Sequence, residues 1–172
     1  MLLCNEGEGT LIMPVGHDVT WNEYFMGICD AVSRRSTCLS RKIGAIVVNS
    51  DDHTIIATGY NGPPRGFHHC EGLVCPRVTQ GYGSGKGLEY CPAVHAEANC
   101  VADAALNHKC VDGQTLILNT VLPCKSCMGL LINAGIKQIV YKDKGVYDQL
   151  AKQMAEECNI KLTHYLERSN EE

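Results

Sequence analysis

The sequence predicts an α/β protein: a three-layer α/β/α sandwich around a mixed five-stranded sheet. Three observations carry that expectation. The chain has 172 residues, the size of one ordinary domain. Its hydrophobic fraction of 45% and mean hydropathy of -0.10 supply enough apolar surface for a core. Two short β-branched runs with turn residues between them come first, and helical and strand patterns then alternate to the end.

Residues 1–19 are glycine-rich and aperiodic, and read as an N-terminal arm. Thr20 is a good N-cap for a helix to about Arg35, with Tyr24, Ile28, Ala31 and Val32 on one stripe. Ile43–Val48 and Thr54–Tyr60 form a β-hairpin, with turn chemistry between Asn49 and His53. From 61 to 92 the chain becomes an insertion rich in Gly, Pro, Cys and His. Long irregular insertions are usually functional or stapled by a metal. Helices follow at His95–Asn107, Cys124–Ala134 and Val146–Cys158. Strands follow at Thr115–Asn119, Ile139–Lys142 and Lys161–Tyr165, so one domain covers 20–166 and an acidic tail covers 167–172.

The formal net charge of -4 and a pI near 6.0 give no electrostatic footprint for a long nucleic acid. No run reaches the ~18 apolar residues of a membrane span. The first residues, carrying Glu6 and Glu8, lack the basic and apolar regions of a secretory signal. The expected location is cytoplasmic. Eleven cysteines, an odd number that includes a C-x-x-C, point to metal rather than to a disulfide framework. Cys29, Cys100, Cys110 and Cys158 sit in apolar or helical stretches and are expected to be buried small hydrophobes.

Two segments carry chemistry, His95-Ala96-Glu97 and Pro123-Cys124-Lys125-Ser126-Cys127, each opening a helix. A helical first turn puts the sulfurs of Cys124 and Cys127 on one side, and a helix N-terminus favours thiolates. With His95 they make two thiolates and an imidazole, leaving the fourth corner of a tetrahedral Zn²⁺ open for water, as in catalytic zinc sites. Glu97 is spare as a ligand and suits general acid/base work on that water and the substrate. The plainer readings are an ordinary helix start for His95 and Glu97 and a redox C-x-x-C for the cysteines. The redox reading leaves His95-Ala96-Glu97 unexplained. The paired segments match the H-x-E…P-C-x-x-C signature of zinc deaminases.

Beyond these motifs the chain resembles the deoxycytidylate (dCMP) deaminases, within the cytidine deaminase-like superfamily. The resemblance runs from about Thr20 to Tyr165. It includes Ser36-Thr37-Cys38 leading into Ile43–Val48, Gly59-Tyr60-Asn61-Gly62-Pro63-Pro64, His95–Asn99, Pro123–Cys127, Ala134-Gly135-Ile136-Lys137 and Val140-Tyr141. It implies hydrolysis of dCMP to dUMP and ammonia, activated by dCTP with Mg²⁺ and inhibited by dTTP, in a hexamer. It places Asn61 and Ala96 at the substrate, and Gly59, Tyr60, Asn61 and Gly62 near the regulatory nucleotide. On residues alone, 59–62 is a strand ending in a turn. It also implies a structural zinc from Cys38, Cys70, Cys75 and Cys91, with His68 or His69 able to replace a ligand.

For the substrate phosphate the nearest cations are Arg34, Arg35, Arg41 and Lys42; Arg41 stands just before the first strand. The glycine-rich run 81–87 fails the phosphate-loop pattern, because Gln80 holds the first glycine's place and Gly87 follows Lys86. It reads as a loop. Two other functions compete: another small zinc deaminase, acting on cytidine, guanine or tRNA adenosine, and a non-catalytic nucleotide-binding zinc module. Glu97 argues against the second, since binding alone has no use for a carboxylate there.

Overall fold

The computed structural model of the chain describes residues 19–70, 75–83 and 86–165. The expected arm and tail therefore lie outside the described residues, apart from Val19 at the end of the arm, as do Cys4 and Ser84-Gly85. Helix α1 (Trp21–Ser33) starts from a capping box: the Thr20 hydroxyl accepts from the Glu23 N–H, and the Glu23 carboxylate accepts from the Thr20 N–H at 2.6 Å. Its buried side is Phe25, Met26, Cys29 and Ser33, while Tyr24 is half exposed. The stripe expected from Tyr24, Ile28, Ala31 and Val32 is rotated, because the larger Phe25 and Met26 win the core.

Strands β1 (Gly44–Val48) and β2 (Ile55–Tyr60) pair antiparallel, with a register shift between Val47 and Val48. The insertion is not wholly irregular. It holds a short helix, α2 (Pro76–Thr79), and a 3-10 turn at Leu88–Tyr90. Then come α3 (Ala96–Leu106), β3 (Thr115–Leu118), α4 (Lys125–Asn133), β4 (Gln138–Tyr141), α5 (Gln149–Glu157) and β5 (Lys161–His164). Helix α5 begins three residues later than Val146, at the position where the Asp148 side chain accepts from the Ala151 N–H.

The sheet order is β2-β1-β3-β4-β5, with β1 antiparallel to β3 and the last three strands mutually parallel. Strand alternation divides the core in two. Ala45, Val47, Leu116, Leu118 and Ile139 face a cluster that includes Ala96 and Cys100 of α3, Met128 and Leu131 of α4, and Ala151 and Ala155 of α5. Ile46, Val48, Ile117 and Val140 face Phe25, Met26 and Cys29 of α1. The result is the expected three-layer sandwich. Two consecutive crossovers in one direction along the sheet, β3-α4-β4 and β4-α5-β5, explain why α4 and α5 share a face. Cys29 and Cys100 are fully buried as expected, and the depth of Cys29 pushes its thiol up to about 12. Cys110 and Cys158 are exposed instead, because both stand beyond the last turn of a helix rather than on its inner side.

Candidate active site

Two helix starts meet at one end of the sheet. His95 caps α3 with extended backbone and makes no side-chain capping bond, so its imidazole is free to reach outward. The same holds for Cys124 at the start of α4, with Cys127 in the first turn. The start of α3 is fixed by its neighbour strand. Gly62 and Val94 exchange backbone hydrogen bonds at 3.1 and 2.8 Å, and the Asn99 amide donates to the Tyr60 carbonyl at 2.7 Å. Gly59 lets the two elements approach: a Cβ there would stand 2.3 Å from the Ala96 carbonyl oxygen. The start of α4 is held by Asp148, whose carboxylate accepts from the Lys125 N–H at 2.7 Å as well as capping α5.

These placements bring the His95 Nδ1 to 3.6 Å from the Cys124 Sγ and 3.4 Å from the Cys127 Sγ. All three ligand atoms lie within 4.8 Å of one another. Zinc bonds of about 2.3 Å to sulfur and 2.0–2.1 Å to nitrogen, at tetrahedral angles, require nitrogen–sulfur edges of about 3.6 Å. The observed edges match, so the residues fit zinc. No further His, Cys, Asp or Glu joins the group among the described residues, which leaves the fourth corner for an outside ligand. The Cys124 thiol is held well below its ordinary value, first by the hydrogen bond from Cys127 and further by His95, against the opposing effect of burial. His95 is raised in turn, chiefly by its bond to Cys124. A lowered Cys124 thiol favours the thiolate, the form a divalent cation binds.

Glu97 follows two residues on, with only 5% of its surface exposed. Burial raises its carboxyl above the usual carboxylate range, and its own backbone N–H and His95 oppose that shift. A cavity of about 470 Å³ opens beside His95, Ala96 and Glu97, a usual size for a small-molecule site. It lies outside the carboxyl end of β3, where Thr120, Val121 and Leu122 line it. Asn61 and Arg41 also line it. The Asn61 side chain accepts from the Ile43 N–H at 2.8 Å and donates to the Arg41 carbonyl at 2.9 Å. One amide hydrogen and one lone pair remain to it. Of the four cations expected near a phosphate, Arg34, Arg35 and Lys42 do not line the cavity. Gly59, Tyr60 and Gly62 stay behind it, engaged with α3.

Cys70 and Cys75 are buried, and Cys38 and Cys91 are half-buried. The Cys70 thiol is pushed up first by burial and then by Cys75, Cys38 and Cys91, so the four are neighbours. They do not close to the 4.8 Å spacing of the first group. His69 faces the Thr37 hydroxyl, and His68 stacks on Phe67.

Two lining residues escape a reading of the sequence. Tyr147 stands just before α5, and its phenol is raised by partial burial and by the nearby Cys124 and Glu97. Arg77 comes from α2 inside the insertion. Neither belongs to a motif, and only the packing of distant segments brings them to the cavity.

Comparison with known proteins agrees with this geometry. Residues 19–143 match the family described as the cytidine and deoxycytidylate deaminase zinc-binding region. The chain is 40% identical over 126 residues to a deoxycytidylate deaminase of Mycobacterium phage D29, covering 70% of this chain and 93% of that one. It is 30% identical over 160 residues to a deoxycytidylate deaminase of Schizosaccharomyces pombe, covering 93% of this chain but 48% of that one. The chain thus spans about half the length of the fission-yeast relative. The crystal structure of a dCMP deaminase from the cyanophage S-TIM5, in complex with dCMP and dUMP, superposes with a TM-score of 0.68 at 26% identity. That match covers 83% of this chain and 95% of the phage protein. With its zinc-ligand geometry and a match over most of its length, the chain belongs to the zinc-dependent cytidine and deoxycytidylate deaminase family.

Proposed function

We propose that this protein hydrolyses dCMP to dUMP and ammonia, with zinc held by His95, Cys124 and Cys127 and with Glu97 as the proton carrier. The observation that carries the reading is the placement of a buried carboxyl directly beside a three-cornered zinc-ligand set, at the wall of a nucleotide-sized cavity. Bound zinc supplies Lewis-acid activation of water. Glu97 takes a proton from the attacking water and delivers it to N3 of the cytosine ring. As the C4–N bond breaks, it passes the second proton to the departing amine, which leaves as ammonia. A carboxyl raised by burial suits both halves of that shuttle, because it holds and releases a proton nearer neutral pH. Ala96, fully buried at the first turn of α3, and Asn61 lie against the nucleotide, and Arg41 offers charge to its phosphate.

The same reading assigns regulation by dCTP with Mg²⁺ and by dTTP, in a cytoplasmic hexamer. Mechanical coupling supports it: a ligand that displaced 59–62 would displace the start of α3, since Tyr60 and Gly62 are bonded directly to it. A second, structural zinc from Cys38, Cys70, Cys75 and Cys91 is supported by their proximity in a segment with little apolar core. Among the described residues no helix is long and apolar enough to cross a membrane. The decisive experiment is ammonia release from dCMP and from deoxycytidine by the zinc-loaded protein, with and without dCTP plus Mg²⁺, then with dTTP. Turnover of dCMP raised by dCTP and lowered by dTTP is expected. Preference for deoxycytidine would refute the substrate assignment, and indifference to both triphosphates would refute regulation.

A further inference from the structure

Arg77 is a buried cation with no counterion among the described residues. Only 9% of its surface is exposed, and no carboxylate lies within ion-pair distance of it among the described residues. Its Nε donates to the Lys86 carbonyl at 2.7 Å, and its Nη2 donates to the Gly83 carbonyl at 2.9 Å. Two bonds from two different nitrogens fix the guanidinium plane, so little rotamer freedom is left to lose on binding a ligand. Nη1 makes no hydrogen bond with any described residue. Carbonyl oxygens orient the group without neutralising it.

A charge taken out of water and left unpaired is strongly unfavourable. Arg77 lines the cavity that His95, Glu97 and Asn61 also line. Among the described residues that lining includes two arginines, Arg41 and Arg77, and one acidic residue, Glu97. Arg41 is exposed, so water screens it and its side chain must be ordered on binding. Arg77 is desolvated and already held, which makes it the stronger anion partner of the two. The anion that enters such a cavity with a cytosine at the zinc end is the phosphate of the nucleotide.

We propose that Arg77 binds the substrate phosphate and makes the enzyme choose a nucleoside monophosphate over a nucleoside. The inference rests on the deaminase reading of the same cavity. It gives the insertion a direct part in specificity, because α2 and the turn carrying Gly83 and Lys86 serve to hold one guanidinium in the wall.

The test uses the zinc-loaded full chain as wild type, Arg77→Met and Arg77→Lys. Deamination of dCMP and deoxycytidine is measured, together with equilibrium binding of dUMP and deoxyuridine. Arg77→Met is expected to lower kcat/KM for dCMP by about 30-fold or more, through KM, because a buried charged partner is lost. Its kcat/KM for deoxycytidine stays within about twofold, and its binding preference for dUMP over deoxyuridine falls to what Arg41 alone supplies. Arg77→Lys keeps the charge but not the fork, so it retains part of that preference. Equal losses on both substrates, or an unchanged KM for dCMP, would overturn the proposal. If Arg77→Met does not fold, Arg77→Lys decides: a rise in KM confined to dCMP supports the assignment, and a parallel rise for deoxycytidine refutes it. A protein that deaminates neither substrate yet binds dUMP through Arg77 refutes the deaminase reading and keeps only the phosphate contact of Arg77. One that deaminates dCMP with Arg77 dispensable does the reverse.

Discussion

Replacing Gly59 by alanine adds one methyl group at the closest approach of β2 and α3. The new Cβ would stand 2.3 Å from the Ala96 carbonyl oxygen, 2.4 Å from the Cys100 nitrogen and 2.8 Å from the Cys100 Cα. All three are backbone atoms, so no side chain can rotate away. Restoring ordinary contact requires strand and helix to part by roughly 1 Å, a distance that in a catalytic site costs up to about 100-fold in rate. Overpacking against rigid neighbours costs about 1–3 kcal/mol. Relief of glycine's entropy in a strand returns about 0.5–1 kcal/mol. A net loss of about 1 kcal/mol lowers Tm by roughly 2–4 °C for a chain of this size. Because α3 carries His95 and Glu97 in its first turn, kcat for dCMP is expected to fall 10- to 100-fold, by order of magnitude. Thermal melting and steady-state ammonia release on zinc-loaded protein check both numbers. Gly27→Ala is the matched control. Nothing lies within 4 Å of its Cβ position on α1, so it should gain about 0.5–1 kcal/mol and leave kcat unchanged. Wild-type Tm and kcat in Gly59→Ala would refute the argument that this contact positions the site.

Glu97→Gln keeps the shape of the side chain but cannot carry the proton. Zinc content should stay at the wild-type level while kcat falls by about 100-fold or more, and retained turnover would remove Glu97 from the mechanism. Elemental analysis of the purified protein should find two zinc ions per chain, with Cys75→Ser losing one and keeping the other; a wild-type content of one refutes the four-cysteine site. Asp148 is held below the usual aspartate range, first by the Lys125 N–H. Its contribution is then complete above an ordinary pKa of about 3.9 and is lost as pH falls through the lowered value. The Tm gap between wild type and Asp148→Asn should therefore shrink as pH is lowered from about 6 to about 3. Comparison of the two proteins cancels effects common to both, such as zinc release, and a constant gap would show that the charge at Asp148 is not what joins α4 to α5.

The chemistry of the site is local, and the sequence by itself determined it. His95 and Glu97 share one helix start, Cys124 and Cys127 share another, and helical geometry alone sets how each pair projects. The layered fold was legible for the same reason. The β-branched runs of the hairpin, and the order of helices and strands after residue 95, are properties of neighbouring residues. The first helix shows where local pattern falls short. Tyr24 and Phe25 are adjacent and both aromatic, and only the sheet beneath them decided that Phe25 goes inside. Cys110 and Cys158 look buried by composition and are not, because helix ends decide exposure.

Only the tertiary structure decided what surrounds the zinc ligands. Arg77 and Tyr147 are 70 residues apart in the chain and reach the same cavity from the insertion and from the start of α5. No periodicity records such a meeting, since it depends on where α2 docks and on how Asp148 joins two helix starts. Likewise Gly59 reads as an ordinary strand glycine until α3 is laid against it. Short-range geometry writes the candidate catalytic residues into the sequence. The rest of the cavity wall is written in the packing of segments that the chain itself keeps far apart.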